Sequence, residues 1–386
     1  MDLSWKFIVS VDDIAPALWQ QLIDDKPDFC TPFLSLHFLK GLEQSKCVGQ
    51  GTGWISQHIA VFEKEKLLAF LPCYLKTHSY GEYVFDHAWA NAYQHHQIPY
   101  YPKLVCCIPF TPVTGSRLLL RQDTNIKSDE IYAFIGKHVE DIVQRATASS
   151  FHTLFLPEKN SKQLEPFGIM PRISVQFIWQ NNAYRDFDDF LDEMTSRKRR
   201  SIKKERAKLQ QDNLEIKQLC GEDITERVLD DFYLCYQQTY LKRSGHTGYL
   251  NREFFTYLQK HMRQHLMIVM AFEDENCIAS ALFFYNEQLL CGRYWGALKD
   301  LSGLHFECCY YQGIEFCIQN KIQTFNPGTQ GEHKILRGFR PSYCYSNHYL
   351  QHPDFRSAVA DFLERETLGV QQYKHQADSV LPFKQD

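Results

Sequence analysis

The sequence predicts a mixed α/β protein made of two tandem domains. The chain has 386 residues, and a single hydrophobic core stops growing at roughly 250–300 residues, so longer chains usually divide. Helical and strand-like periodicities alternate along both halves, and the second half contains three strand-like runs joined by tight polar turns. We expect a first domain over residues 1–180 and a second over residues 181–386.

The first half alternates between amphipathic helices and strands. Helices are predicted where apolar residues recur every three or four positions, over residues 14–22, 35–42 and 131–146. Strands are predicted where β-branched and aromatic residues dominate, over residues 58–62, 67–75, 80–85, 153–156 and 174–179. Residues 86–112 are rich in aromatic residues, histidine and proline, which predicts a loop that forms the wall of a cavity.

The second half is predicted to form a mixed sheet around a strand meander. Helices are predicted over residues 186–194, 196–210, 225–240 and 354–366, and from Ser302 onward. Strands are predicted over residues 214–219, 266–272, 277–285, 288–295, 322–326 and 343–350. This order is typical of a mixed α/β sheet, and the first half looks like a degenerate copy of it. The polar tail after Gly369 is expected to be loosely held.

Charge and hydropathy argue against several classes of protein. A net charge of −4 gives no global reason for binding nucleic acid or an anionic membrane, so any phosphate-binding surface must be local. No stretch reaches the ~18–20 apolar residues of a membrane span, and residues 1–10 lack the pattern of a secretory leader. We therefore expect a soluble, cytoplasmic protein.

Cysteine spacing and missing motifs exclude further classes. The 13 cysteines are odd in number and lack any CxxC spacing, which predicts reduced thiols rather than a disulfide framework. The nearest cluster, Cys30, His37 and Cys47, lacks the spacing of zinc sites, so no metal is expected. The chain has no P-loop, dinucleotide fingerprint, GxSxG elbow or HExxH motif, which argues against kinase, dehydrogenase, hydrolase and metalloprotease activity.

Seven uncommon strings carry a resemblance to a known family. They are HSYGEYVFD at residues 78–86, YYPK at 100–103, PFTPVTG at 109–115, GRYWG at 292–296, HFE at 305–307, YYQ at 310–312 and GEHK at 331–334. In these strings the chain resembles the FemAB-like proteins, described as peptidoglycan biosynthesis or recognition proteins, within the GNAT-type N-acyltransferase superfamily. The resemblance implies two tandem GNAT-like domains, each a mostly antiparallel mixed sheet flanked by helices. It also implies transfer of an acyl or aminoacyl group to a nitrogen nucleophile without a metal.

The resemblance leaves two donors open, each a co-substrate rather than a tightly bound cofactor. Most members of the superfamily hold acyl-CoA with a glycine-rich loop that opens the helix after the central meander. Residues 300–305 stand at that place here and do not have the loop's usual form. The Fem-type peptidyltransferases use aminoacyl-tRNA instead, often with a helical-hairpin insertion for which this chain has no obvious candidate. The alternatives are therefore acyl-CoA and aminoacyl-tRNA.

A cation-rich helix is one candidate for binding the donor's phosphates. Residues 197–208 contain eight lysines and arginines, which a 100° helical step scatters around the axis. Arg199 and Lys203 are predicted to hold the phosphates of coenzyme A or a tRNA end. The alternative is a solvated helix whose cations pair with the acidic residues of 186–193.

The helix after the meander is a second candidate donor site. Ser302 is predicted to cap its first turn, so that the free N–H groups near Gly303 and His305 bind an anion. Glu307 and Tyr311 are four residues apart, which predicts that one orients the other and that the tyrosine donates a proton to the leaving group. The other aromatic residues of this helix, including Tyr310, are expected to lie in the core.

The glycine-containing loop over residues 326–334 is the candidate catalytic loop. Glu332 or His333 is predicted to remove a proton from the incoming ammonium group, because a protonated amine has no lone pair with which to attack. Lys334 and Arg337 are predicted to bind anionic groups of the ligands. The alternative is that Glu332 and Lys334 only pair with each other within the loop.

The acceptor site is predicted from aromatic and polar residues of both halves. Asp86, Trp89, Tyr93 and Tyr101 would line the acceptor cleft if the halves face one another, although a plain core role is nearly as well supported. Arg293 and His246 are assigned to the same cleft, with His246 on a loop that covers it. The predicted acceptor-binding set therefore comprises Asp86, Trp89, Tyr93, Tyr101, Arg293 and His246.

We therefore expect an N-acyltransferase in which an amine attacks the donor carbonyl directly, with a small-molecule or peptide amine as acceptor. The alternative is a non-catalytic protein that recognises a cell-wall precursor or peptide on the same fold. A third reading is an assembly partner, with a homodimer as its simplest form.

Overall fold

The chain divides into two compact units, and its C-terminal segment contributes residues to both. The computed structural model describes residues 2–22, 32–211, 214–329 and 331–384. The first unit comprises Met1–Val175 and Tyr343–Gln372, and the second comprises Gln176–Ser342 and Tyr373–Asp386.

The elements follow the chain in alternating order. Those up to residue 180 are β1 (Leu3–Ile8), α1 (Pro16–Leu22), α2 (Leu36–Gln44), β2 (Trp54–Ser56), β3 (His58–Glu63), β4 (Lys66–Leu71), β5 (Cys73–Lys76), α3 (His87–His95), β6 (Lys103–Cys106), β7 (Leu119–Leu120), α4 (Ser128–Lys137), α5 (Val139–Arg145), β8 (Ser150–Leu156), α6 (Glu158–Leu164) and β9 (Met170–Gln180).

The remaining elements include a π-helical turn, Glu307–Tyr311, and a 3₁₀ segment, Glu332–Arg337. The others are α7 (Phe187–Asp192), α8 (Ser196–Gln211), β10 (Glu215–Cys220), α9 (Glu226–Ser244), α10 (Arg252–Met262), β11 (Leu266–Glu273), β12 (Asn276–Tyr285), β13 (Leu289–Ala297), α11 (Leu304–Phe306), α12 (Gln312–Gln319), β14 (Thr324–Asn326), β15 (Arg340–Leu350) and α13 (Pro353–Ser379).

The first unit contains two sheets. One has the strand order β1-β3-β4-β7 and is antiparallel throughout. In the other, the order is β15-β8-β6-β5-β2, with β6 and β8 parallel and the other pairs antiparallel. The main core of the first unit includes apolar side chains of β3, β4, α4 and α5. The amphipathic pattern of each segment places these side chains on one face.

The second unit is a mixed sheet built on the β11-β12-β13 meander. Its strand order is β10-β11-β12-β13-β14-β9, with β13 and β14 parallel and the other pairs antiparallel. β11 and β12 are buried along most of their length, consistent with their nearly continuous apolar sequences. The tight polar turns on either side of β12 connect neighbouring antiparallel strands.

The structure differs from the sequence-based expectations in several segments. Residues 80–85 form no strand, and the predicted loop over residues 86–112 contains α3 and β6. The predicted helix over 131–146 is divided into α4 and α5 at His138. The tail after Gly369 is helical, because α13 continues to Ser379. The sequence predicts a domain boundary after residue 180, and the structure has it near Val175. The sequence also predicts that residues 343–372 belong to the second domain, but they pack in the first unit.

Helix α9 approaches the meander through a glycine. A Cβ atom at Gly296, on β13, would lie 2.0 Å from the carbonyl oxygen of Cys235 on α9. Gly369 provides the contrast, because it is exposed on α13 and a Cβ there would meet no atom within 4 Å. Backbone-to-backbone contact at Gly296 therefore sets the distance between α9 and the sheet.

Substituting these two glycines should change stability in opposite directions. Gly296→Ala should destabilise the protein by about 1–3 kcal/mol or more, because the methyl group forces α9 away from β13. Gly369→Ala should stabilise it by roughly 0.5–1 kcal/mol through higher helix propensity. Thermal and urea unfolding followed by circular dichroism would measure both. An unchanged midpoint for Gly296→Ala would show that α9 is not held in contact with the sheet.

Candidate active site

The strands β13 and β14 separate in the middle of the second unit. Their parallel ladder covers three residue pairs and ends at Cys291 and Asn326. β13 continues to Ala297, whereas the chain turns away after β14 into a loop. A β-bulge inserts Arg293 opposite β12, directly where the separation begins. Backbone groups of β13 beyond Cys291 therefore lack a ladder partner on β14, and we call this place between the two strands the opening.

Two glycines let the loop after β14 lie close to β13. A Cβ atom at Gly292 would be 3.4 Å from the Cα atom of Pro327, and one at Gly328 would be 3.3 Å from the carbonyl oxygen of Gly292. Gly328 also has φ of +90°, which other residues rarely adopt. Side chains at these positions would push the loop outward, so the glycines determine the width of the opening.

A histidine and a tyrosine form a hydrogen-bonded pair beside this loop. The hydroxyl of Tyr310 lies 2.8 Å from Nε2 of His333, and either the phenol or the imidazole can be the donor. Burial, together with the charges of Lys334 and Arg337, lowers the pKa of His333. His333 is therefore a neutral imidazole at pH 7, able to accept a proton.

A second imidazole, His305, completes an aromatic wall. Its ring centroid lies 5.3 Å from Trp295, 5.3 Å from Tyr310 and 5.9 Å from His333. Burial lowers the pKa of His305 to about 3, and the neighbouring His333 together with nearby cations, including Arg243, acts in the same direction. Both imidazoles of this cluster are therefore uncharged in a strongly cationic environment.

Lys334 is a buried cation whose hydrogen-bond partners among the described residues are carbonyl groups. Its side chain is 1% exposed, and Nζ donates to the carbonyl oxygens of Gly328 at 2.7 Å and Thr329 at 3.3 Å. Burial, reinforced by the charge of Arg293, lowers the pKa of Lys334 to about 7. Within the described residues no carboxylate lies in ion-pair distance of Lys334, so its charge is uncompensated.

Arg337 joins the 3₁₀ segment to helix α8. Its guanidinium donates to both carboxylate oxygens of Glu205, at 2.8 and 3.0 Å, and to the carbonyl oxygen of His333 at 2.8 Å. It also lies 3.3 Å from the ring centre of Phe306. Tyr311 donates to Glu205 as well. We name Glu205, Tyr311 and Arg337 the clamp; it fixes the backbone that carries His333.

The predicted contact between Glu307 and Tyr311 is wrong. Glu307 is bound by Arg206 of α8 in bidentate geometry, at 2.7 and 2.9 Å, and accepts from Gln312 at 2.8 Å. Arg206 also donates to Glu315 at 2.7 Å. Both predicted partners are therefore held by α8 instead of by each other.

The π-helical turn explains why Tyr310 rather than Tyr311 reaches the catalytic loop. Hydrogen bonds in such a turn close over five residues, so the residues within and after it leave the 3.6-residue period. Sequence periodicity assigned Tyr310 to the core and Tyr311 to the site. The structure pairs Tyr310 with His333 and turns Tyr311 toward Glu205. No pattern in the sequence marks the π turn.

The predicted anion site at the start of the helix also differs. The helix begins at Leu304 with Gly303 at the N-cap position and φ of +91°, while Ser302 is exposed and makes no cap. A Cβ atom at Gly303 would lie 3.4 Å from Cγ of Glu205, so α8 packs against this end. Asp300 pairs with Lys242 nearby. Two ion-paired carboxylates, those of Asp300 and Glu205, therefore lie where the sequence predicts an anion site.

The cations of helix α8 include an ion-paired set and an exposed, unpaired set among the described residues. Arg199 pairs with Asp192 and Lys203 with Asp188, each at 2.7 Å, as in the alternative of a helix paired with the acidic segment. Four exposed cations follow at three- and four-residue intervals and so form one stripe along the solvent side, contrary to the expected scatter. They are Arg197, Arg200, Lys204 and Lys208, none of them in an ion pair with a described acid.

Glu332 and His246 lie apart from the Tyr310–His333 pair. Glu332 is exposed and forms a hydrogen bond with Tyr373. Burial raises the pKa of Tyr373, and Glu332 raises it further. The predicted pairing of Glu332 with Lys334 does not form. The ring of His246 contacts Tyr240, with 5.4 Å between ring centres, and its Nδ1 accepts from the backbone of Gly248.

The acceptor residues predicted in the first half lie together in the first unit. Trp89 and Tyr93 are buried on α3 and belong to an apolar core, which is the alternative role. Asp86 precedes α3 and pairs with the buried Lys103. The hydroxyl of Tyr101 lies 2.8 Å from that of Ser79.

Lys103 is the centre of a buried charge network. Its ammonium lies 2.7 Å from Glu82 and also donates to Asp86, which accepts from Tyr100 at 2.6 Å. Burial alone would lower the pKa of Lys103, but the two carboxylates outweigh it and raise the pKa. Asp86 is therefore part of a compensated interior network.

Two further features lie outside the Tyr310–His333 cluster. A cleft of about 350 Å³ in the second unit is lined by Phe187, Arg206 and Glu315, among others, and shares no residue with that cluster. No group of three or more His, Cys, Asp or Glu residues in the described ranges has an arrangement suited to a metal, and Cys30 of the proposed cluster is outside those ranges. Among the helices described, none has the length and apolar character needed to cross a membrane.

Comparison with solved structures establishes the fold. FemX superposes with a TM-score of 0.52 at 11% identity, over 92% of this chain and 99% of that chain. The C-terminal domain of an Agrobacterium fabrum protein assigned as a lysylphosphatidylglycerol synthetase gives 0.52 at 9%, over 90% and 95%. A conserved protein of unknown function from Bacteroides thetaiotaomicron gives 0.51 at 11%, over 89% and 98%. At these identities the likeness concerns the fold alone.

Sequence comparison identifies the family. No curated protein sequence matches the chain. A sequence model of the FemAB-like family, described as peptidoglycan biosynthesis/recognition, matches residues 10–385. The expected fold class, two tandem GNAT-like domains with mostly antiparallel mixed sheets flanked by helices, is confirmed. The chain belongs to the FemAB-like family of peptidoglycan biosynthesis/recognition proteins.

Proposed function

We propose that the chain is an N-acyltransferase that moves an acyl or aminoacyl group from an activated donor to an amine by direct attack. The observation that carries this proposal is the Tyr310–His333 pair, with 2.8 Å between hydroxyl and Nε2, beside the buried Lys334. These groups lie at the loop that follows the separated strands. A proton acceptor, a proton donor and a positive charge near the carbonyl each accelerate acyl transfer, and we assign these three roles to this cluster.

His333 is the proposed base and Tyr310 the proposed acid. In the tautomer with hydrogen on Nε2, His333 donates to the phenol oxygen and its Nδ1 is free to accept a proton from the ammonium group of the acceptor. The phenolic hydrogen of Tyr310 is then directed away from His333 and can protonate the leaving group. The lowered pKa of His333 keeps the base neutral before the reaction begins.

Lys334 is the proposed electrostatic stabiliser. When the amine attacks, negative charge develops on the carbonyl oxygen, and a charge in a water-poor site acts on it strongly. The ammonium of Lys334 is oriented by two carbonyl oxygens and is not neutralised by a described carboxylate. Backbone N–H groups at the opening beside β13 would add to this stabilisation.

The geometry favours aminoacyl-tRNA over acyl-CoA as the donor. Superfamily members that use acyl-CoA place its pyrophosphate at the start of the helix after the meander, where this chain has Asp300 and the carboxylate of Glu205. The exposed stripe on α8 extends over about 16 Å, at 1.5 Å per residue, which suits several phosphates of one strand. From the family's description, we propose an amine of a peptidoglycan precursor peptide as the acceptor.

Removing the proposed base should abolish turnover and leave acceptor binding intact. His333→Gln should lower kcat by roughly 10²–10⁴-fold, because glutamine cannot accept the proton. Transfer of labelled amino acid from charged tRNA to a precursor peptide, with calorimetric binding of that peptide, would measure both effects. His265→Gln is the matched control, since His265 is also half-buried and hydrogen-bonded, to Tyr285.

The same experiment separates an enzyme from a recognition protein. Wild-type protein that binds the peptide but transfers nothing from charged tRNA or acetyl-CoA would contradict the proposal and favour recognition alone. Equal kcat for His333→Gln and wild type would contradict the assigned role of His333.

The rate should depend on pH through two groups of the site. kcat/KM should fall as pH rises through about 7, because Lys334 has a pKa of about 7 and loses its charge there. On the acid side kcat/KM should fall only below pH 6.5, where the His333 base takes up a proton, because the pKa of His333 is lowered. Lys334→Gln should remove the alkaline limb and lower the rate at pH 6.5. An unchanged alkaline limb in Lys334→Gln would assign it to another group.

Reversing charges on the exposed stripe should weaken donor binding. Arg200→Glu combined with Lys204→Glu should raise the apparent Kd for charged tRNA at least tenfold and reduce its salt dependence, because fewer counterions are released. Lys159→Glu with Lys162→Glu on α6 makes the same change in net charge on another exposed helix. Filter binding at several salt concentrations would compare them, and equal effects of the two pairs would reject a specific role of α8.

A further inference from the structure

Two cysteines of the second unit lie close together without a disulfide. The Sγ atoms of Cys235 on α9 and Cys277 on β12 are 4.0 Å apart, and both are free thiols. A disulfide needs a separation of about 2.05 Å. The two sulfur atoms are therefore about 2 Å farther apart than in a disulfide.

The packing of α9 holds this pair in register. The carbonyl oxygen of Cys235 lies against Gly296, where a Cβ atom would be only 2.0 Å away, so the helix cannot move closer to β13. Cys277 lies near the start of β12, opposite Phe272. Formation of the bond therefore requires rotation of the two thiols, because α9 has no room to move closer to the sheet at Gly296.

From this geometry we propose that Cys235 and Cys277 form a redox-active dithiol that small disulfides or peroxides convert to a disulfide between α9 and β12. This modification site is separate from the proposed acyl transfer and stands without it. Crosslinking these elements fixes a helix whose last turn carries Arg243, which influences the protonation of His305 and Tyr310.

The two thiols have different roles in the reaction. Cys277 is partly exposed, whereas Cys235 is buried. The hydrogen bond with Cys235 lowers the pKa of Cys277 against the effect of burial, and the same hydrogen bond raises the pKa of Cys235. The nearby acid Asp231 and the buried thiol Cys308 complete the titratable surroundings. Cys277 is therefore the attacking thiolate and Cys235 the resolving thiol.

The reaction balances with a small disulfide such as oxidised glutathione. The Cys277 thiolate attacks one sulfur, forms a mixed disulfide and releases one glutathione thiolate, which takes up the proton that Cys277 lost. Cys235 then gives up its proton and attacks Sγ of Cys277, releasing the second glutathione. The protein loses two electrons and two hydrogens, and one oxidised glutathione becomes two reduced molecules.

Peptide mass spectrometry of the native protein would test the proposal. Reduced full-length protein, freed of reductant and incubated with oxidised glutathione, should yield a disulfide-linked pair of peptides containing Cys235 and Cys277. The oxidised protein should also unfold at a higher temperature, because the bond closes a long loop of the unfolded chain. Cys235→Ser should retain a stable glutathione adduct on Cys277, and Cys277→Ser should form neither product.

Cys220→Ser is the matched control, since Cys220 is also partly exposed but should be dispensable for the crosslink. A persistent glutathione adduct on Cys277 of the wild-type protein would overturn the proposal, because it would show that Cys235 cannot resolve it. Absence of any modification of Cys277 in native protein that reacts fully once unfolded would overturn it equally.

Discussion

The ion pair between Glu205 and Arg337 is the constraint on which the candidate site depends. One carboxylate on α8 receives two hydrogen bonds from Arg337 and one from Tyr311, and Arg337 also binds the carbonyl oxygen of His333. Removing one partner of such a half-buried pair leaves the other charge without compensation, which costs more than the intact pair contributes. The clamp therefore contributes mainly by determining where the backbone of His333 lies.

Local features of the fold could be predicted from the sequence, and non-local ones could not. The β11-β12-β13 meander follows from apolar strand-like runs separated by short polar turns, all within residues 266–297. The return of residues 343–372 to the first unit depends on contacts between distant parts of the chain, which periodicity does not encode. The predicted helix over residues 354–366 is shorter than α13, because the polar sequence after Gly369 is typical of weak order although it is helical here.

The candidate site shows the same division between local and non-local information. His333 and Lys334 were identifiable, because a histidine and a lysine in a glycine-containing loop after a strand are local features. Tyr310 was not, since the π turn that directs it to His333 changes the helical period without a sequence signal. Ser302 was assigned as a cap from its residue type, whereas Glu205, about a hundred residues earlier in the chain, lies against this helix start.

Two buried lysines illustrate how a compensated charge differs from an uncompensated one. Lys103 and Lys334 are equally buried, each 1% exposed. Lys103 has two carboxylates within reach and its pKa is raised, so its charge belongs to the stability of the first unit. Among the described residues Lys334 contacts carbonyl oxygens and no carboxylate, and its pKa is lowered to about 7.

Burying Lys334 in this way disfavours the folded state below the unfolded pKa of 10.5, because the unfolded chain binds the proton more tightly. A packed apolar residue at the same position would avoid that cost. An anionic ligand or a developing oxyanion would supply the missing negative charge and make the protonated lysine favourable. This difference in charge compensation is the physical reason why our proposal assigns the chemistry to Lys334 and not to Lys103.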